Sequence, residues 1–168
     1  MNHADRTLDQ SDLTILGLLQ DDARMSNVAI ARRIGMAPSA TLERIRKLEK
    51  SGVIRAFTAR LDPKALQVGL LAFIFVRSDE RAGHTRTARL LARRPEVLEV
   101  HHIAGEDCFL VKVRAADTEA LGRLLREGFG TVSAIRSTRT TIVLETIKES
   151  QALPLPKGAP RRGGGGRG

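Results

Sequence analysis

The spacing of apolar positions changes rhythm along the chain. Between residues 8 and 52 they recur three or four apart, the helical repeat; from residue 68 onward short apolar runs alternate with helical stretches. Leu13, Leu16 and Leu19 follow Asp9, a good helix N-cap whose partner three positions on is Asp12. Ser26 opens a second helix with Val28, Ile30, Ala31 and Ile34 expected inward, and Gly35 suits its left-handed end. Ala29 stands where a reciprocal capping acid would be, so that capping box is half made. Pro38 and Ser39 start a third helix, with Leu42, Ile45, Leu48 and Glu49 on one side and Gly52 as its stop. Val53 to Leu61 then alternates, predicting a β-hairpin arm closed by Asp62-Pro63.

The second half predicts strands at Val68–Val76, Val97–Ile103, Phe109–Val113 and Ile135–Ile147. Helices fall between them: Thr85–Arg94, with Ala88, Leu91 and Ala92 inward and Pro95 as stop, and one capped by Asp117 carrying Leu121, Leu124 and Leu125 up to Gly128–Gly130. The order β-α-β-β-α-β is the ferredoxin-like plan, whose helices cover one face of the sheet. The first strand is apolar on both sides, Leu71, Phe73 and Phe75 one way and Leu70, Ala72, Ile74 and Val76 the other. The uncovered face then needs a partner, and a second copy of the chain is the simplest one. The expected architecture is α+β: a winged helix-turn-helix over residues 1–63, a βαββαβ sandwich over 64–149, and a basic Pro/Gly-rich tail over 150–168 that lacks the apolar residues to fold.

Charge sharpens this picture by where it lies. The chain carries a net +9, and residues 22–63 alone hold nine Lys or Arg against four acids. A basic balance inside a folded segment suits a polyanion such as DNA. The helix–glycine turn–helix from Ser26 to Lys50 has the helix-turn-helix layout, which seats its second helix in the major groove. The helical wheel puts Ser39, Ala40, Glu43, Arg44 and Lys47 in reach of base edges or nearby phosphates. Arg33, Arg46, Lys50, Arg55 and Arg60 are placed for phosphates, which position the protein without reading sequence. The tail could add non-specific affinity for DNA as a secondary role.

Other chemistries find little support. His101 and His102 are adjacent on a strand and point to opposite faces, a poor pair for one metal. No nucleophile–base spacing or cofactor motif accompanies Glu99, Glu106 and Asp107, so neither an enzyme, a cofactor nor a metal is expected. Gly163 to Gly166 is no phosphate loop, because no strand precedes it and no helix follows. The lone Cys108 excludes an internal disulfide and reads as a small packed residue. Met1 to Arg6 is polar, without the apolar core of a secretory signal, and no run is long enough to span a bilayer. A cytoplasmic, nucleoid-associated protein is expected.

Several stretches resemble the leucine-responsive/asparagine regulator (Lrp/AsnC) family of transcriptional regulators. They are Leu8-Asp9-x-x-Asp12, Leu42-Glu43-Arg44-Ile45-Arg46-x-Leu48-Glu49, Gly52-Val53-Ile54, Leu61-Asp62-Pro63, Gly105-Glu106-Asp107 and Thr138-Arg139-Thr140-Thr141-Ile142-Val143-Leu144. The resemblance implies double-stranded DNA as partner, a homodimer assembling to tetramers or octamers, and an amino-acid-type effector. By the same resemblance the effector pocket falls on Gly105, Glu106, Asp107 and Cys108, with Thr138 and Thr140. An effector-independent architectural DNA-binding protein is the alternative, since it would keep the dimer and the DNA contacts.

Overall fold

The computed structural model describes residues 8–81 and 83–156. The expected tail beyond Pro156 lies outside the described residues. Among the described residues two compact units emerge: 8–59 with 150–156, and 60–149.

The first unit contains α1 (Gln10–Asp21), α2 (Asn27–Ile34) and α3 (Pro38–Lys50). Asp9 caps α1 in a reciprocal capping box: the Asp12 amide donates to Asp9 Oδ1 at 2.8 Å and the Asp9 amide donates to Asp12 Oδ2. Ser26 Oγ accepts from the Ala29 amide at 3.2 Å, and Gly35 ends α2 at φ +68°, a left-handed conformation that favours glycine. Ile15, Leu16, Ile30, Ile45 and Leu48 form the core.

Some expected inward positions turn out. Val28 is 55% exposed, because positions two apart lie about 200° apart on a helix and Ile30 already faces the core. On α3, Glu49 is exposed and Thr41 is fully buried in its place, on the stripe set by Ile45 and Leu48. The Thr41 hydroxyl donates to the Ala37 carbonyl at 3.1 Å, which satisfies it inside the core. The predicted arm at Val53–Leu61 forms no strand. Alternation supplies a face, but a strand also needs a neighbouring ladder, and none is offered to it among the described residues.

The tail expectation fails for its first residues. Leu153 exchanges two hydrogen bonds with Gln20 of α1: its amide donates to Gln20 Oε1 at 2.6 Å, and Gln20 Nε2 donates to its carbonyl at 3.1 Å. Leu155 packs against the three-helix core beside Gly17. An apolar residue can dock even in a Pro-rich segment.

The second unit is a four-stranded antiparallel sheet in the order β2-β3-β1-β4, with β1 Leu70–Ser78, β2 Val97–His102, β3 Phe109–Ala115 and β4 Ile135–Ile142. This is the ferredoxin-like order. Strand β4 ends five residues before the expected Ile147, since β1 pairs with it only as far as Ala72 opposite Ile142. The helices are α4 (Arg86–Leu91) and α5 (Thr118–Arg123), the latter continuing as a π-helical turn over Leu124–Phe129. The Gly130 amide closes that turn on the Leu125 carbonyl at 2.8 Å, and a Cβ on Gly130 would sit 2.6 Å from the Arg126 carbonyl oxygen. Ala72, Ile74, Val76, Phe109, Val111 and Val113 pack under Leu91, Leu121, Leu124 and Phe129. Ala92 is exposed and Thr87 buried in α4, again one step round the wheel from expectation.

Candidate DNA-reading helix and effector loop

Each nominated residue on α3 can be judged by whether the fold already occupies it. Ser39, Ala40, Glu43, Arg46, Lys47 and Lys50 are all exposed along α3, and Arg33 and Arg55 are exposed nearby in sequence. Glu43 and Lys47 approach at 3.4 Å as an i,i+4 pair in full solvent, too screened to hold either in place. Arg33, Arg46, Lys50 and Arg55 make no ion pair with any described residue. Exposed basic side chains without an ion pair can be given to phosphates at little desolvation cost.

Arg44, also nominated as a DNA contact, differs in already having partners within the helical unit. Its Nη1 donates to Asp9 Oδ2 at 2.7 Å and to Asp12 Oδ1 at 2.9 Å. The Asp12 side chain is only 3% exposed. The Asp12 amide and then the Arg44 guanidinium hold the Asp9 carboxyl below the usual carboxylate range, and both carboxylates raise Arg44. The guanidinium therefore ties α3 to the capped N-terminus of α1, and sets how the outward stripe is presented. Sequence reasoning identified the capping pair but missed the clamp, because Asp9 and Arg44 lie 35 positions apart.

The second nominated site splits between two faces of the sheet. The loop from Ile103 to Cys108 is closed by the Ile103 amide donating to the Cys108 carbonyl at 3.0 Å, and Gly105 turns it at φ +133°. Cys108 is half-buried, its amide donating to the Val76 carbonyl at 2.9 Å, and Val76 is in register with Thr138 of β4. Loop and strand thus meet at one end of the sheet. Their side chains diverge there. Thr138 and Thr140 stand in register with Val76 and Ile74 on the helix side. Asp107 instead pairs at 3.2 Å with Arg139 of the open side, whose guanidinium stacks 3.9 Å over the Phe75 ring. Arg139 stands inside the quoted motif but was not among the nominated residues. Glu106 is exposed and has no ion-pair partner among the described residues. A cleft of about 610 Å³ elsewhere in this unit, lined by Glu80, His84, Arg94 and Thr131 among others, includes none of the nominated residues.

The open face is partly apolar and partly charged. Phe73, Phe75 and Leu110 are half-buried there. Beside them Lys112 pairs with Glu149 at 2.7 Å and Glu99 at 3.1 Å. Glu149 raises Lys112, while His101 and Lys112 lower Glu99. His101 joins Glu99 on this side at 3.1 Å, and His102 stacks on Phe109 with ring centroids 5.3 Å apart, so the two histidines do diverge. Among the described residues no group of three or more His, Cys, Asp or Glu could hold a metal, and no helix is long and apolar enough to cross a membrane.

Comparison with known proteins agrees with both units. A family profile described as winged helix-turn-helix DNA-binding matches residues 8–55, and one described as Lrp/AsnC ligand binding domain matches residues 71–153. The HTH-type transcriptional regulator FL11 of Pyrococcus horikoshii is 40% identical over 88% of this chain and 97% of its own. The leucine-responsive regulatory protein of Escherichia coli is 35% identical over 89% of this chain and 93% of its own. Among solved structures, a transcriptional regulator of Neisseria meningitidis in complex with L-Met superposes with a TM-score of 0.82 at 30% identity, covering 88% of this chain and 97% of that one. The chain therefore belongs to the Lrp/AsnC family, transcriptional regulators that join a DNA-binding helix-turn-helix to a ligand-binding domain.

Proposed function

We propose that this chain is a sequence-specific DNA-binding regulator that works as a homodimer or a higher assembly of dimers and responds to an amino acid. The observation that carries the DNA reading is the exposed stripe Ser39, Glu43, Lys47 and Lys50 with Arg46, on a helix fixed from behind by the Arg44–Asp9–Asp12 clamp. Lys47 and the N-terminal outward residues face base edges, while Arg33, Arg46, Lys50 and Arg55 take phosphates. Gel shift on DNA from the protein's own promoter tests this. Lys47→Ala and Lys50→Ala should both weaken binding, and unchanged binding by both would remove α3 from the interface.

For the effector, the supporting observation is the opposed pair Asp107 and Arg139 with Glu106 beside it at the turn made by Gly105. A zwitterion offers an ammonium to the acids and a carboxylate to the guanidinium. The relative solved with L-Met makes an amino acid the first class to try. Calorimetry against the twenty amino acids, with Asp107→Asn and Arg139→Ala as controls, decides between this and the effector-independent architectural reading. Heat from none of them would favour the latter.

The open sheet face supports self-association. Phe73 and Phe75 there, with Leu144 at 99% and Ile147 at 85% exposure after β4, leave apolar area that a second copy would cover.

A further inference from the structure

The cleft of about 610 Å³ in the sandwich unit has walls from α4, the π-helical turn and the loop leading into β4. Its size is that of a small-molecule site. Arg94 forms part of one wall. Its Nη2 donates to the Glu127 carbonyl at 3.0 Å. Its stem passes over Gly128, where a Cβ would lie 3.0 Å from Arg94 Nε and 3.2 Å from Cδ. The buried glycine in the π-helical turn thus makes room for this guanidinium. Arg86 lines the same cleft, is exposed, and makes no ion pair with any described residue. His84 borders it as well. The one acid among the described lining residues is turned away from the opening. Glu80 Oε1 accepts from the Thr87 amide at 2.7 Å and from the Thr87 hydroxyl at 2.8 Å, and Oε2 is closed off from solvent. We propose that this cleft binds a small organic anion, an acidic head group on a short hydrocarbon body.

The charges the cleft presents decide the class of ligand. Guanidinium groups recognise carboxylates and phosphates through paired, charge-assisted hydrogen bonds. Arg94 is already held by a backbone carbonyl, so little of its freedom remains to be lost on binding. An ammonium would find no opposite charge, because Glu80 is committed to Thr87. The expected ligand therefore lacks an amine. Leu90, left 40% exposed, and Val132 add apolar wall that a hydrocarbon body would cover. The site is distinct from the pair Asp107 and Arg139, which suits a zwitterion, and it stands whether or not that pair binds an amino acid.

Saturation-transfer NMR on the full chain with hexanoate, hexyl phosphate and hexylamine as probes tests the cleft. The three share a hydrocarbon body and differ only in the head group. Transfer is expected to hexanoate or hexyl phosphate and not to hexylamine, and the tighter of the two anions tells a carboxylate ligand from a phosphate one. Arg86→Gln should weaken the anion by about tenfold, the usual loss for a charged hydrogen bond. Gly128→Ala, which displaces Arg94, should do the same. Arg89→Gln, equally exposed on α4 but outside the cleft, should leave binding as it was. Arg86 lies at the surface, so its variant decides the matter even if Gly128→Ala disturbs the fold. Three results would overturn the proposal: no transfer to either anion, hexylamine binding as well as hexanoate, or Arg89→Gln losing as much as Arg86→Gln.

Discussion

Arg44 stands among the outward residues of a wheel drawn for α3, yet its Nη1 donates to both Asp9 and Asp12. Arg44→Ala removes a charged hydrogen-bond donor from the nearly buried Asp12 carboxylate and from Asp9. Hydrogen bonds to charged groups of this kind are worth about 1–3 kcal/mol, so urea unfolding of the variant should show a loss in that range. Lys47→Ala, in open solvent, should leave stability within about 0.5 kcal/mol of the parent while weakening DNA binding. The two effects separate a positioning residue from a contact. The clamp also has a pH signature. Asp9 titrates below its ordinary 3.8 in the folded chain, so its stabilisation is complete above that value and is lost as pH falls through the folded value. Between pH 5 and 8 the clamp should not change, and a pH-dependent loss of the helical unit in that interval, followed by circular dichroism, would contradict it.

Elements show where the sequence was readable. The Asp9-x-x-Asp12 cap, the Gly35 stop and the Pro38 start could be found because each acts within one helical turn. Val28, Glu49 and Ala92 were expected inward and are exposed, since the residue pattern alone does not set which side of a short helix meets the core. The arm at Val53–Leu61 was overread because alternation says nothing about the neighbour a strand requires. At the effector loop the backbone was legible and the side-chain grouping was not. Gly105 is a turn residue whose φ of +133° other residues rarely adopt, but pairing Asp107 with Arg139 depends on the register of three strands. Gly105→Ala should cost about 1–3 kcal/mol through backbone strain. It should also abolish any amino-acid response in calorimetry while DNA binding persists.

At the scale of the whole molecule, one helix-turn-helix is a weak reader, and a dimer pairs two of them on a symmetric site. The open face around Phe73 and Phe75 is where a second copy would add most buried apolar area. Phe75→Glu should therefore turn a dimer or larger particle into a monomer by light scattering, with the helical unit still folded. A monomeric parent at micromolar concentration would exclude this assembly. The central claim is that α3 reads a DNA sequence, and the most direct measurement is binding to the protein's own promoter duplex against a scrambled duplex at fixed salt. The account predicts that the parent chain prefers the promoter by about 10³-fold or more, and that Lys47→Ala erodes that preference while Lys50→Ala weakens both duplexes alike. Equal affinity of the parent for the two duplexes, unaltered by Lys47→Ala, would contradict it.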